Sequence, residues 1–262
     1  MMRCMDSAKL MMPLLGTTSC SVPTPVPRVG LVKKMPRSSS WSIQAAALRE
    51  SHAKVACVVG GGVCGLACAI ELGKRGYAVC IVDPDEPGAA PASSAAAGLL
   101  DPLTPKGKLM WHGEAAFEAA CALIRTASDD AKPCFATMGS LHVANNAKHA
   151  SQLSTAADEA DYVHWLGASA FTDETSAIEL DADVRDALLC GVSCPHGALF
   201  CRRAMVVDTS HYLMCLWRMV QATTTACWLR KKLNHTWAIA GVFDLVIVAV
   251  CAPLATCALL LS

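Results

Sequence analysis

The feature that most restricts the fold of this chain is a run of three glycines at residues 60–62, directly after an apolar segment. The run lies in the stretch VVGGGVCGL, residues 58–66. Glycine loses more backbone freedom on folding than any other residue, so three in a row weaken both helix and strand. The glycines therefore form either a plain surface turn or a loop that lets a phosphate approach the backbone, and the flanking residues decide between the two.

The flanking segments predict a strand on each side of this turn. KVACVVG has the composition of a buried strand, and YAVCIVD, residues 77–83, predicts another. Between them, four residues recur at helical spacing and mark one packed face: Leu66, Ala69, Ile70 and Gly73. Strand, glycine turn, helix and strand together make a βαβ unit, which is right-handed with parallel strands.

Three glycines of the turn occupy the positions of a dinucleotide-binding fingerprint. Gly60 permits the sharp turn, Gly62 leaves room for a pyrophosphate, and Gly65 lets helix and strand pack closely. The pyrophosphate is expected at the helix N-terminus, where free N–H groups and the positive dipole end meet it. Asp83 closes the second strand about twenty residues further on, where a carboxylate accepts the ribose hydroxyls. An acid there argues against NADP at this site.

Two segments carry a resemblance to a known family. VVGGGVCGLACAIELGKRGYAVCIVD and ASSAAAGLLDPLTPKGKLMWHG resemble the D-amino acid oxidase and glycine oxidase family of FAD-dependent oxidoreductases. The second segment is most similar to the branch found in plants, algae and bacteria. Weaker similarities follow in GSLHVA, VHWLGA, VVDTSHYLMCLWR and FDLVIVAV, so the resemblance covers roughly residues 53 to 250.

The resemblance implies an α/β fold. A Rossmann-like FAD-binding domain, with the βαβ unit at the N-terminus of the folded part, would be interleaved with a β-rich substrate domain. Residues 53–110 would form the N-terminal part of the FAD-binding domain and residues 111–205 a substrate-domain-like segment. Residues 206–262 would return to the FAD-binding domain. Because the family continues well past the FDLVIVAV strand, this last part is expected to be truncated.

The resemblance also implies the site and its chemistry. Gly60, Gly62, Gly65 and Asp83 would hold the ADP part of FAD. A second group would pass the ribityl chain and the flavin ring: Ser93, Ser94, Ala97, Gly98 and Leu99. The family removes hydride from a carbon that bears an amine and delivers it to the flavin, so a small amine or amino acid is the expected substrate. No catalytic residue is identified.

Residues 1–48 have the composition of a targeting segment. They are rich in Ser, Thr and Pro and contain six basic residues against one acid. This composition is typical of an organelle transit peptide. We expect a disordered leader for the chloroplast, with the mitochondrion as the alternative. The remainder carries the balancing negative charge, so nucleic acid is not expected as a partner.

The chain contains fifteen cysteines, an odd and scattered set. Such cysteines are expected to be reduced core thiols, since disulfide frameworks belong to short secreted chains. The densest group is Cys190, Cys194, His196 and Cys201, but it lacks the C-x2-C spacing of a zinc site. No metal site is therefore predicted.

The C-terminal residues 245–262 form an almost uncharged apolar tract that Pro253 interrupts. A buried strand running into a short tail fits this tract better than a membrane span. Two alternatives to an active oxidoreductase stay open. In the first, the chain would be a truncated, catalytically inactive dinucleotide-binding remnant. In the second, it would be a protein anchored in a membrane through residues 245–262.

Several other positions have simpler interpretations. His112 follows the small-residue loop and is a candidate to face a substrate, but a histidine in that place is more often a surface residue. Its neighbour Trp111 is a second candidate to face a substrate. Asp208 is predicted to cap a helix. Arg203 has the right group to hold a carboxylate, but nothing in the sequence places it near the flavin.

Overall fold

The fold is described from a computed structural model, which describes residues 40–89, 91–110, 112–129, 131–157, 160–171, 192–233, 239 and 241–250. The helices, in chain order, are α1 Ser40–Arg49, α2 Val63–Lys74, α3 Pro91–Ser94, α4 Gly113–Ala127, α5 Ala147–Ala156 and α6 Thr209–Thr223. The strands are β1 Lys54–Val59, β2 Tyr77–Asp83, β3 Leu99–Leu100, β4 Phe135–Thr137, β5 Ser140–Val143, β6 Val163–Leu166, β7 Ala198–Cys201, β8 Met205–Val207, β9 Ala226–Arg230 and β10 Leu245–Val248.

The main sheet is parallel and has the strand order β10-β1-β2-β9. The predicted βαβ unit is present, because β1 and β2 pair in parallel on either side of α2. The residues of β1 after Lys54 are buried, as are those of β2 after Tyr77. This pattern is expected for central strands that are covered on both faces. The mixed α/β prediction is confirmed.

One face of the main sheet packs against α2, α4 and α6, and the other packs against α1. Helix α1 overlaps the segment predicted to be a disordered leader, so that prediction is wrong for residues 40–48. Trp41, Ala45 and Leu48 are buried on one side of α1 at helical spacing. This short apolar stripe was hidden by the serine-rich composition around it. Residues 1–39 lie outside the described part.

Two small antiparallel sheets complete the fold, with strand orders β3-β8-β4 and β5-β7-β6. Helix α5 covers the second of these sheets through Leu153 and Ala156. The GSLHVA segment contains β5, and the segment from residue 197 to 208 contains β7 and β8. Strand β8 leads directly into α6, which returns to pack on α2. The segment between the βαβ unit and α6 therefore supplies the β-rich part.

Strand β10 is less buried than the sequence suggested. We expected a fully buried strand, but three of its residues are half-buried and Val248 is 38% exposed. Among the described strands β10 pairs with β1 alone, so it lies at an edge of the sheet. Among the described residues there is no helix long and apolar enough to cross a membrane. The tail at residues 251–262 lies outside them.

The ten cysteines that the structure describes are free thiols, and seven of them are buried. Three lie side by side, because Cys57 pairs with Cys80 and Cys80 pairs with Cys227 across adjacent strands. The hydrogen bond with Cys80, together with burial, raises the pKa of the Cys227 thiol. These thiols act as small apolar core residues, as expected.

Candidate cofactor site

The glycine loop connects β1 to α2 at the carboxyl end of the main sheet. Gly60 has φ +107°, a conformation that side-chain-bearing residues rarely adopt. A Cβ on Gly60 would lie 2.3 Å from the carbonyl oxygen of Ala249, which follows β10. Its N–H donates to the carbonyl of Val82, with a donor–acceptor distance of 2.9 Å. This position therefore excludes a side chain for two independent reasons.

Gly65 lets α2 approach the backbone of the loop, and Gly62 leaves the N-cap position of α2 without a side chain. A Cβ on Gly65 would lie 1.9 Å from the carbonyl oxygen of Gly60, so the helix packs directly on the loop backbone. Gly62 is the N-cap of α2 and has no side chain to satisfy the first helical N–H groups. An uncapped helix N-terminus attracts an anion. The start of α2 thus has backbone N–H groups that can donate to a pyrophosphate, and one of them, that of Val63, also donates to a neighbouring side chain, Ser93.

Ser93 is brought to this loop by α3. Its Oγ lies 3.3 Å from the N–H of Val63, the first residue of α2, and would be 2.9 Å from a Cβ on Gly62. We expected Ser93 beside the ribityl chain or the flavin, but it lies against the phosphate loop. A hydroxyl there can also donate to an anion. The assignment of Ser93 to a particular part of FAD stays a prediction.

The other residues predicted near the flavin lie further along the chain, between the end of α3 and the start of β3. The carbonyl of Ser94 accepts a hydrogen bond from Thr209 Oγ1 at 3.3 Å. Ala97 is exposed. Gly98 has φ +73° and its carbonyl accepts from the N–H of Val207. Leu99 is 54% exposed and pairs with Val206 of β8. Their contact with a flavin also stays a prediction.

Asp83 is brought beside the loop at the end of β2. It is 8% exposed, and its Oδ2 accepts from the N–H of Gly61 at 2.7 Å. Its Oδ1 accepts from the N–H of Asp85 at 2.9 Å. The carboxylate therefore fixes the middle of the glycine loop. Each of its oxygens has a second lone pair, so the predicted bond to the ribose is compatible with these contacts.

Trp228 on β9 lies against the glycine loop, and no pattern in the sequence predicts this contact. A Cβ on Gly61 would be 2.2 Å from its Cη2 and 2.6 Å from its Cζ2. The indole N–H donates to the carbonyl of Asp85 at 2.9 Å. The middle glycine is thus required by a tryptophan ring and not by a phosphate. A tryptophan inside a strand is normally a core residue, so sequence alone did not signal this contact.

A second polar cluster joins the loop after β3 to β5. The Oδ2 of Asp101 accepts from Ser140 Oγ and from His142 Nε2, the latter at 2.9 Å. Its Oδ1 accepts from the N–H of Leu103 at 2.8 Å. Burial raises the pKa of Asp101, but the hydrogen bonds from His142, Ser140 and Leu103 outweigh it and leave the pKa below its ordinary value. The cluster ties the loop after β3 to β5.

The remaining candidates have structural roles. His112 is exposed at the start of α4, and Trp111 lies outside the described residues. Asp208 caps α6, as predicted, by accepting from the N–H of His211 at 3.0 Å. Nowhere in the described part of the chain do three His, Cys, Asp or Glu side chains form a group that could hold a metal ion. Cys190 lies outside that part.

Arg203 is held by its own surroundings. Its guanidinium pairs with Glu114 and Glu118 and lies over the rings of Phe117 and Tyr162, with 5.0 and 4.7 Å to the ring centroids. The contact with two carboxylates leaves it poorly placed to bind the carboxylate of a substrate. We therefore do not assign Arg203 a role in binding the substrate.

The parallel sheet, the glycine loop and the acid at the end of β2 define an α/β protein of the dinucleotide-binding class. Within that class, the profile of the FAD dependent oxidoreductase (DAO) family matches residues 56–249, and the chain belongs to this family. No curated protein matches the sequence significantly. The cofactor of the family is FAD, and the open glycine loop with its uncapped helix fits the pyrophosphate of that cofactor.

Several solved structures are similar to part of this chain. Glycine oxidase from Geobacillus kaustophilus is 23% identical with a TM-score of 0.47, over 66% of this chain and 45% of its own. Iminodiacetate oxidase from Chelativorans sp. BNC1 is 19% identical with a TM-score of 0.49, over 68% and 47%. L-alpha-glycerophosphate oxidase from Mycoplasma pneumoniae, with FAD bound, is 16% identical with a TM-score of 0.50, over 70% and 46%. The chain spans less than half the length of each.

Proposed function

We propose that this protein is an FAD-dependent oxidoreductase that oxidises a small amine or amino acid by hydride transfer to the flavin. The observation that carries the proposal is the glycine loop. Gly60 is in the left-handed region at φ +107°, and the uncapped N-terminus of α2 follows it directly. Membership of the FAD dependent oxidoreductase family supports this assignment. The plant and algal branch is the one we favour within the family.

The residues of this chain would act mainly by position. The amide groups at the start of α2 would donate to the pyrophosphate, and the helix dipole would favour its negative charge. Gly60, Gly62 and Gly65 would contribute by having no side chain where the phosphate and the helix come close. Asp83 would keep the loop in shape through its bond to the N–H of Gly61.

Bound FAD would accept the hydride, which is chemistry that side chains do not supply. The protein would hold the amine carbon against the cofactor and keep water away from it. The β5-β7-β6 sheet is the part of the described chain that we propose to carry substrate contacts. No residue of this chain is assigned a catalytic role.

A catalytically inactive remnant of a dinucleotide-binding protein is the second candidate, and exposed apolar side chains favour it. Leu99 is 54% exposed and its partner Val206 is 42% exposed, on the sheet that joins β3 to β8. Val248 at the edge strand β10 is 38% exposed. Apolar side chains exposed in this way mark a surface on which a partner would pack. A remnant would bind dinucleotide weakly or not at all.

The visible absorption spectrum of the full chain, purified without added cofactor, tests the proposal. Flavin bands, with FAD identified by mass spectrometry after release, would support it. Anaerobic bleaching of those bands by a panel of amines and of D- and L-amino acids would then define the substrate. A folded, soluble and colourless protein that takes up no added FAD would refute the oxidoreductase assignment and leave the remnant.

Gly62→Asp is the matched control for this spectrum. Gly62 has φ −77°, which any residue adopts, and the nearest atom to a new Cβ is the hydroxyl of Ser93. The fold should therefore persist, while the added carboxylate repels the pyrophosphate. We expect a native circular dichroism spectrum and loss of the flavin bands. Retention of FAD by this variant would place the cofactor elsewhere.

We also propose that the N-terminal segment directs the protein to the chloroplast, with the mitochondrion as the alternative. The support is the excess of basic residues in residues 1–48, six against one acid. Fusion of residues 1–39 to a fluorescent protein tests it, since α1 begins at Ser40. A version with all six basic residues replaced by glutamine is the control. Cytosolic fluorescence from the unaltered fusion would contradict the proposal.

A further inference from the structure

We propose that Trp228 forms the adenosine-side wall of the cofactor site, so that the adenine and ribose of FAD pack against its indole ring. The inference rests on the proposed function and assigns to it a residue that the glycine fingerprint does not include. Its basis is the contact between the ring, the middle of the glycine loop and the carbonyl of Asp85.

The ring is held firmly in one orientation. Its N–H donates to the carbonyl of Asp85 at 2.9 Å. The ring of Trp217 on α6 meets it edge to face, with centroids 5.2 Å apart and an interplanar angle of 74°. Gly61 lies against its outer edge. An aromatic surface fixed in this way loses little further entropy when a ligand packs on it.

The position of the ring corresponds to the adenosine end of a dinucleotide. Strand β9 lies beside β2, with Trp228 opposite Ile81 and Arg230 opposite Asp83. Gly61 joins the two features, because its N–H donates to Asp83 and a Cβ on it would meet the edge of the ring. In open α/β sheets ligands bind outside the carboxyl ends of the strands, and the acid at the end of β2 is the one that faces a ribose.

The side chain also has the chemistry that the adenosine end requires. A purine presents a flat π surface, and packing of a base on an aromatic ring is insensitive to further sequence detail. Trp228 is partly exposed, so the residue is not sealed inside the core. The nearby carboxylate of Asp83 supplies the polar group for the ribose, and the ring supplies the apolar surface.

Tryptophan fluorescence tests the inference, with ADP, FMN and FAD as probes of the full-length protein. ADP contains the adenosine end without the flavin, and FMN contains the flavin without the adenosine. We expect ADP and FAD to change the tryptophan emission of the wild type. Part of this change should be absent in Trp228→Phe, and FMN should not produce that part. Trp165→Phe, on β6 in the other sheet, is the control for loss of one tryptophan among the six.

Affinity gives a second readout that does not depend on emission. Trp228→Ala should raise the Kd for ADP about tenfold, which corresponds to about 1.4 kcal/mol. Trp228→Phe keeps an aromatic face and should raise it about two- to threefold. Far-UV circular dichroism of both variants guards against a simple loss of fold, and Trp228→Phe keeps the test usable if Trp228→Ala does not fold.

The outcomes separate this inference from the proposed function. If the wild type binds FAD and ADP, but Trp228→Phe shows the same ligand-induced emission change, the wall is elsewhere and the oxidoreductase assignment stands. Tighter ADP binding by Trp228→Ala would mean that the ring obstructs the site, and it would overturn the inference in the same way. If the wild type binds neither FAD nor ADP, both proposals fall together.

Discussion

The glycine loop and the Asp101 cluster build their local structure by opposite means. The loop depends on side chains that are missing, since a Cβ at Gly60 or Gly65 would collide with backbone oxygen. The cluster depends on side chains that are present, since Ser140 and His142 share one buried carboxylate oxygen of Asp101. The comparison shows why one region has a sequence motif and the other has none. Backbone geometry constrains residue type at fixed spacing, whereas side chains that meet across the fold come from distant positions.

The two regions should also fail differently. A side chain added to the loop forces the backbone to move, which costs energy at any pH. A side chain removed from the cluster leaves buried polar groups without partners, and that cost depends on protonation. The following substitutions test this difference, from the largest expected effect to the smallest.

Gly65→Ala should have the largest effect. The new Cβ would meet the carbonyl oxygen of Gly60 at 1.9 Å, and neither backbone can move without disturbing α2. We expect a loss of about 3 kcal/mol in the free energy of unfolding, measured by urea denaturation. Gly167→Ala is the control, since its nearest neighbour would lie at 3.9 Å. Equal stability of the two variants would contradict the packing argument.

Asp101→Asn should cost about 2 kcal/mol at neutral pH, because the hydrogen bonds of Ser140 and His142 to a buried charge are lost. The pKa of Asp101 in the folded protein lies below the ordinary 3.8, so the unfolded chain binds more protons at acid pH. The contribution is therefore present above the ordinary pKa and is lost as the pH falls through the lowered one.

Urea denaturation of the wild type and Asp101→Asn at pH 7 and near pH 3 measures this dependence. The difference between the two proteins should shrink at the lower pH, because below the ordinary pKa the unfolded wild-type chain binds a proton at this carboxylate. Gly65→Ala serves as the matched comparison, because its deficit should not follow the protonation of this group. A constant deficit for Asp101→Asn at both pH values would count against the role of the charge.

Gly61→Ala should cost about 1–2 kcal/mol, because its Cβ meets the Trp228 ring at 2.2 Å and a side chain yields more easily than backbone. The same substitution in a Trp228→Ala background should cost much less. A double-mutant cycle by urea denaturation should therefore give a coupling of about 1 kcal/mol. Additive effects would show that the ring does not determine the middle glycine.

Ser93→Ala should have the smallest effect, about 0.5 kcal/mol in the free energy of unfolding. The bond from the N–H of Val63 to its Oγ is long at 3.3 Å, and water or a phosphate can replace it. Ser94→Ala is the control, because Ser94 accepts the hydrogen bond of Thr209 through its backbone carbonyl. Thermal denaturation with and without FAD measures both variants, and a loss above about 2 kcal/mol would indicate an essential cap.

Much of the candidate cofactor site could be predicted because each of its sequence patterns lies within a short stretch of the chain. Gly60, Gly62 and Gly65 stand close together, and Asp83 follows at the end of the next buried strand. The strand–helix–strand unit, the cap at Asp208 and the α/β class follow from short stretches in the same way. Their physical causes, turn geometry and the burial of one helix face, act within about thirty residues.

The remainder depended on contacts between distant parts of the chain. Trp228 meets Gly61 only because β9 pairs with β2, and no spacing rule connects the two residues. Asp101 and His142 come together through the packing of β5 beside the loop after β3. Helix α1 was missed because its apolar stripe is short and lies in a basic, serine-rich segment. Pairing across the fold, and not local propensity, decides such features.

The row of thiols across the main sheet has a consequence for chemical durability. Oxidants and alkylating reagents attack the thiolate, so a thiol whose pKa is raised, as that of Cys227 is, reacts slowly. Cys57 and Cys80 are buried in the same row, whereas Cys64 at the start of α2 is exposed. Peptide mapping after brief alkylation of the folded protein should find Cys64 modified well before the row. Oxidative damage to this protein would then begin at exposed thiols and would reach the thiols at the centre of the main sheet last.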